Sequence, residues 1–96
     1  MTFNWDDEKN ELSKRIREIS FEEIVIAIED GNVVDVVRHH DKDRYSNQRI
    51  YLVAYRNYIY AVPFVQDMTK KEIFLKTIYP SRRYTKQYLG DKEEET

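Results

Sequence analysis

The sequence predicts an α+β domain with two N-terminal helices, an antiparallel sheet of about four strands and a short C-terminal helix. Three observations carry this reading. Residues 6–30 combine charged, helix-favouring stretches with the capping sequence Ser20-Phe21-Glu22-Glu23. From residue 33 onward, β-branched and aromatic residues take over in runs separated by polar segments. Ser81 then opens a last basic stretch with the character of a capped helix. Helices packed on one face of a sheet would satisfy this order of elements.

The opening FNWDDEKNELSKRIRE places Phe3 and Trp5 at a period of two and then becomes strongly charged. Asp6 is the expected N-cap of a first helix, with Asp7 and Glu8 at its positive end. Leu12, Ile16 and Ile19 form a thin apolar stripe. The second helix has the clearest local signal. Ser20 and Glu23 make a capping box, and Ile19 with Ile24 fits the hydrophobic staple around it. Phe21, Ile24, Val25 and Ile28 fall on one core-facing stripe, and Gly31 suits the helix end.

NVVDVVR reads as a strand and HHDKDRYSNQ as a polar loop. RIYLVAYRNYIYAVPFV reads as two strands joined at Arg56-Asn57, because Asn tolerates positive φ in a tight hairpin. Pro63 cannot donate to a ladder, which assigns its strand to an edge or a bulge. QDMTK is a turn, and KEIFLKTIY makes a fourth strand. Residues 1–90 are read as a single domain, and the tail DKEEET, residues 91–96, as acidic and frayed.

Composition narrows the chemistry. The chain has 96 residues and no cysteine, so disulfides, thiolate nucleophiles and cysteine-based metal sites are excluded. MTFNWDDEKNE turns acidic at once, which does not fit a secretory signal, and no apolar run approaches a membrane span. The expectation is a soluble, cytoplasmic protein without membrane partners. A core this small gives modest stability, to which a protein partner can add.

Net charge is −2, but it is segregated. Residues 1–31 carry nine acids against four bases, and residues 32–90 carry eleven bases against five acids. A basic unit therefore lies between acidic flanks, able to meet phosphate or an acidic partner. Its densest part is TIYPSRRYTKQYLG. There Arg82 and Arg83 occupy the first turn of the last helix, where the helix dipole disfavours cations. Arginines beside free backbone N–H groups make an anion site suited to phosphate. Lys86 follows Arg82 by one turn, and Tyr84 and Tyr88 share a face. A solvated basic helix whose tyrosines pack on the sheet is an equally open reading.

Arg49, Arg56 and Lys76 recur on or beside strands. Lys76 shares a face with Phe74 and Ile78, so it either points into a groove or snorkels from a half-buried face. Tyr51, Tyr55, Tyr58 and Tyr60 read mainly as cross-strand packing. His39 and His40, if on a strand, point to opposite sides and do not share one metal. No nucleophile elbow, phosphate-binding glycine loop or dinucleotide fingerprint is present, and two glycines could not build one.

Phe3, Trp5, Asp6, Lys9 and Asn10, followed by Ser20, Phe21, Glu22 and Glu23, resemble the opening F-x-W-D-x-x-K-N and S-F-E-E of the BrnT family, at the same spacing. That family comprises ribonuclease toxins of bacterial type II toxin–antitoxin modules. Near the end, IYPSRRYT is similar to the family's I-I-S-A-R-K-A-T, with Arg82, Arg83 and Thr85 in register. Where the family has K-H-G-V before S-F-E-E, this chain has Ile16-Arg17-Glu18-Ile19, so histidine and glycine are replaced by Arg17 and Glu18. Pro80 and Tyr84 are further departures.

The resemblance implies a RelE-like fold and metal-independent RNA cleavage that inhibits translation and growth. It also implies neutralisation by a BrnA-like ribbon–helix–helix antitoxin, with operator DNA reached only through that antitoxin. Such cleavage uses the RNA's own 2′-OH as nucleophile, so the protein must hold phosphate, stabilise charge and move protons. The expected catalytic residues are Arg49, Lys76, Arg82 and Arg83, and the expected RNA-binding residues are Arg56, Tyr84, Lys86 and Tyr88. No metal or cofactor is expected, and the RNA is met free or on the ribosome. Two alternatives stand beside this. One is a catalytically weak or inert homologue acting as an antitoxin-binding, co-repressor module. The other is a nucleic-acid-binding repressor acting alone, which lacks a recognition-helix motif.

Overall fold

A computed structural model describes residues 1–41 and 43–90; the expected acidic tail, 91–96, lies outside the described residues. The elements run β1 (Thr2–Asn4), α1 (Asp7–Arg17), α2 (Phe21–Glu29), β2 (Val33–Arg38), β3 (Gln48–Tyr55), β4 (Tyr58–Asp67), β5 (Glu72–Leu75), β6 (Tyr79–Pro80) and α3 (Arg82–Leu89). The fold is α+β, with the three expected helices.

Capping chemistry starts each helix where the side chains direct. The Asp6 carboxylate accepts the N–H groups of Glu8 and Lys9 at 2.9 and 3.2 Å. Ser20 and Glu23 close the capping box in both directions. Ile19 and Ile24 are both fully buried around that box, as a staple requires. The hairpin between β3 and β4 turns at Arg56 and Asn57, with φ of 52° and 61°. Positive φ at both central residues matches the right-handed strand twist of a two-residue hairpin.

The sheet corrects the expectation in three ways. It has six strands rather than about four, in the order β1-β5-β4-β3-β2, with β6 also paired to β4. It is mixed, because β1 precedes the helices and pairs parallel with β5, Phe3 opposite Ile73. Of the period-two pair, Phe3 lies in this strand and Trp5 follows it. Finally, the expected fourth strand is two strands, β5 and β6, separated by residues 76–78.

Pro63 explains that break. Its strand, β4, is internal rather than an edge, lying between β3 and the β5–β6 line. Pro63 pairs with Ile50 across β3. Its own carbonyl accepts the Lys76 N–H at 2.7 Å, so the missing Pro63 donor faces the gap between β5 and β6. The ladder is interrupted where no donor exists to continue it.

Helices cover both sheet faces, not one. Alternation along the strands sends Val53, Val62, Phe64 and Leu75 to one face, where Ile19, Phe21, Ile24 and Ala27 meet them. Leu52, Ile50, Ile59 and Ala61 point to the other face, where Tyr84, Tyr88 and Leu89 of α3 pack. Apolar residues on both sides of β3 and β4 need cover on both sides. Each fully buried large side chain, such as Phe21 or Leu52, contributes about 1.5–3 kcal/mol of transfer free energy. The stripe expected on α1 is not a core stripe. Leu12 and Ile16 are 45% and 66% exposed, whereas Ile19 lies beyond the helix and is buried. With so few apolar residues, α1 is held by polar contacts instead.

Candidate nucleic-acid interface

The start of α3 is pinned to β4 by two hydrogen bonds, which a third within the helix start ties together. The Ser81 N–H donates to the Ile59 carbonyl at 2.9 Å, and the Ile59 N–H donates to Thr85 Oγ1 at 2.9 Å. Thr85 Oγ1 in turn donates to the Ser81 carbonyl at 2.7 Å. Ser81 Oγ accepts the Tyr84 N–H and so caps the helix. Arg82 and Arg83 follow in the first turn, both exposed and with no acid in that turn. Two exposed arginines thus stand at one fixed place in a first turn without acids, an arrangement that accepts an anion.

The tyrosines support this helix. Tyr84 and Tyr88 are half-buried against the sheet. The Arg83 guanidinium lies 4.7 Å from the Tyr84 ring centre and donates to its hydroxyl at 2.9 Å. The Tyr88 hydroxyl donates to Asp35 Oδ2 at 2.7 Å, and that bond holds its pKa above the usual tyrosine value. Burial does the same for Tyr79. Raised phenols remain hydrogen-bond donors at neutral pH and do not serve as bases. Lys86 is exposed in the last turn.

The other expected site residues lie elsewhere. Arg49 is exposed on β3, paired with Phe64, on the face against which α2 packs. Lys76 sits in the gap between β5 and β6, its ammonium 5.5 Å from the Phe74 ring centre. Phe74 alternates with the core residues Ile73 and Leu75, so this ammonium serves the opposite sheet face from Arg49. Lys76 keeps the expected company of Phe74 but not of Ile78, which the gap turns into the core. Arg56 is ion-paired to Glu23 at 2.9 Å, donates to the Glu18 carbonyl and lies over the Tyr55 ring. Of the four expected catalytic residues, only Arg82 and Arg83 are neighbours.

The N-terminal motif residues have structural duties. Trp5 stacks on Phe21 with ring centres 5.8 Å apart. Buried Asn10 accepts the Phe21 N–H at 2.9 Å and donates to Glu22 at 2.7 Å. Glu23 accepts from Tyr55 and Arg56 while also closing the Ser20 box. Glu22 and Glu23 are both held below the usual glutamate pKa, chiefly by the Asn10 and Tyr55 hydrogen bonds respectively. These carboxylates are ionised clamps, not bases tuned to neutral pH.

Two further cations, Lys9 of the opening motif and Arg17, bridge the strand gap, a role the sequence did not assign to either. Lys9 donates to the Lys76 carbonyl at 3.2 Å, and Arg17 donates to the Ile78 carbonyl. Between α1 and the gap lies a cleft of about 180 Å³ lined by Leu12, Ser13, Ile16, Arg17, Thr77 and Ile78, among others. Glu18 takes the left-handed conformation, φ 57° and ψ 33°, as the C-cap of α1. Nothing local in the sequence marks Arg17 as a carbonyl clamp, because its partner is 61 residues away.

His39 and His40 lie in the polar loop expected after β2. They follow the last residue of β2, so strand alternation does not apply, and their rings stack at 4.4 Å. His39 also packs on Tyr45 at 4.3 Å, and its Nδ1 accepts the Asp41 N–H. Among the described residues, no group of three or more histidines and carboxylates is placed to hold a metal ion, and no helix is long and apolar enough to cross a membrane. Comparisons with protein-family models, with curated proteins and with solved structures each give no match.

Proposed function

We propose that this chain is a ribonuclease toxin of a type II toxin–antitoxin module, with a RelE-like fold, that grips RNA phosphate at the start of α3. The observation that carries the reading is the exposed pair Arg82 and Arg83 in a first turn without acids, fixed to β4 through Ser81 and Thr85. Cations there lower helix stability, so an anionic ligand gives the placement a purpose. The RNA 2′-OH attacks the adjacent phosphorus and expels the 5′-oxygen of the next nucleotide, leaving a 2′,3′-cyclic phosphate, with water taking the 2′-OH proton and returning one to the leaving oxygen. Arg82 and Arg83 stabilise the phosphorane charge, and Lys86 and the Tyr84–Tyr88 face carry the adjoining strand. Arg49, Lys76 and Arg56, which lie away from this turn, hold more distant phosphates of the RNA. A BrnA-like antitoxin silences the toxin in the cytoplasm.

A second reading is favoured by one specific observation. The four expected catalytic residues are divided between two sheet faces, and Arg17, where the resembled family has histidine, clamps a backbone carbonyl. On this reading the protein binds its antitoxin and nucleic acid without cleaving. Inducible expression alone and together with the neighbouring gene, with gels of total RNA, separates the two. Growth arrest and RNA decay relieved by the neighbour support the nuclease. Normal growth with folded protein and intact RNA supports the silent module.

A further inference from the structure

We propose a second anion site, separate from α3, in which Arg38 and Arg49 clamp a phosphomonoester between β2 and β3. The two arginines are direct cross-strand partners. Hydrogen bonding alternates along an antiparallel pair, and His39 and Gln48 are a bonded position, with the His39 N–H donating to the Gln48 carbonyl. Arg38 and Arg49, one residue further in, therefore form a non-bonded pair, the type in which side chains approach most closely. Like charges directly opposite one another destabilise a sheet. Neither arginine has an ion-pair partner among the described residues. Of the two acids three residues away from Arg38, Asp41 turns its carboxylate to the Arg44 N–H of its own loop, and Asp35 gives its own to the Val36 N–H and the Tyr88 hydroxyl.

The surroundings suit a bound anion. Phe64, the Arg49 partner on β4, is 5% exposed and stacks on Tyr51 at 4.0 Å. Arg38, Arg49 and Phe64 thus form one row across three strands, two exposed arginines in line with a buried ring. A small cleft of about 40 Å³ lined by His39, Tyr45, Ser46 and Gln48 lies beside Arg38 but does not reach Arg49, so the clamp rests on the strand register and not on a pocket.

The chemistry selects the ligand. A guanidinium fork takes two oxygens, so two forks need more acceptors than one carboxylate offers. A phosphomonoester has three terminal oxygens and about −1.5 to −2 charge at neutral pH, matching two guanidinium groups. Its source is free phosphate or the terminal phosphate of a nucleotide. The inference does not rest on the ribonuclease reading, since the pair lies on the opposite sheet face from α3.

The test is a backbone amide NMR titration of the whole chain with orthophosphate, adenosine 5′-monophosphate and adenosine, at constant ionic strength set with chloride. Orthophosphate is expected to move the amides of Arg38, His39, Arg49 and Ile50 together. A stronger response to the nucleotide assigns the source to nucleotides, and an equal response assigns it to phosphate itself. Arg38→Gln with Arg49→Gln should weaken the effect about tenfold or more, while Arg82→Gln with Arg83→Gln leaves these amides responding. The Arg38→Gln, Arg49→Gln protein should melt no lower than the parent, because a like-charge contact is removed. Amides that ignore phosphate, that respond equally in the Arg38/Arg49 variant, or a variant that melts well below the parent, would overturn the clamp. A defect in the ribonuclease reading appears instead in the Arg82/Arg83 variant.

Discussion

Arg17 of α1 donates to the main-chain carbonyl of Ile78, the last residue of the gap between β5 and β6. Lys9, two turns earlier on α1, donates to the carbonyl of Lys76 at the start of that gap. The two cations span the place where Pro63 denies the sheet a donor. They replace, from a helix, hydrogen bonds that a continuous strand would have received from its neighbour. Arg17→Ala should therefore destabilise the protein by about 1 kcal/mol, the usual net worth of such a bond. Chemical denaturation measures this directly. Arg17→His, which restores the histidine of the resembled family, should lose the same stability, and RNA cleavage gained by that variant would show where the missing base belongs.

Glu18 is the second departure from the resembled family, and its geometry makes a sharper test. It caps α1 in the left-handed region at φ 57°, where a Cβ crowds the backbone. Glycine at this position removes the clash and keeps the Glu18 carbonyl that accepts from Arg56. Glu18→Gly should stabilise the fold by about 1 kcal/mol, which for a domain of this size raises the melting temperature by about 4–8 °C. A lower melting temperature would mean that the glutamate side chain contributes more than the strain costs.

The Glu23 clamp gives the fold a dependence on pH. The Tyr55 hydroxyl, then the Ser20 groups and Arg56, hold its carboxyl below the ordinary value of 4.5. A carboxyl depressed in the folded state contributes stability that is complete above its unfolded pKa. That stability is lost as pH falls through the folded value. The loss should begin near pH 4.5 and continue below it. Melting curves over this range should fall less steeply for Glu23→Gln than for the parent, from a lower starting point. Parallel curves would assign the acid sensitivity to Glu22, which Asn10 depresses in the same direction.

How much of this was legible before the structure depends on the distance over which each feature is decided. Asp6, Ser20–Glu23 and Arg56-Asn57 act on neighbours, and the caps and hairpin they announce are present. Features set by partners far along the chain were not legible. The parallel pairing of Phe3 with Ile73, the split of β5 from β6 opposite Pro63 and the passage of α3 to the second face all depend on strand order. The candidate site divides the same way. Arg82 and Arg83 stand out because one helical turn holds both. Arg38 becomes notable only once register sets it against Arg49.

Binding at α3 should show its ionic origin. Each phosphate contact to a single strand contributes about 0.7 to the slope of log affinity against log salt. Arg82→Gln with Arg83→Gln should lower that slope by about 1.4 and weaken binding to all RNA sequences alike. Fluorescence anisotropy with a short labelled RNA at several salt concentrations reads both quantities. An unchanged slope would remove these arginines from the interface, whatever the effect on growth.

Asp35 closes the exposed edge of the sheet and anchors α3 at the same time. The bulge between Val33 and Asp35 distorts β2, an edge strand whose Val34 and Val36 are 39% and 41% exposed. Asp35 Oδ1 accepts the Val36 N–H at 2.8 Å, while Oδ2 accepts the Tyr88 hydroxyl at 2.7 Å. An edge with free donors and apolar side chains invites a second strand, and bulges and acidic groups discourage it. Asp35→Ala should release the Val36 donor, remove a negative charge from the edge and loosen the last turn of α3 together. Light scattering should then show self-association at concentrations where the parent stays monodisperse, while Tyr88→Phe, which frees α3 without opening the edge, should not. Association in both variants would place the protective effect in α3 rather than in the capped edge.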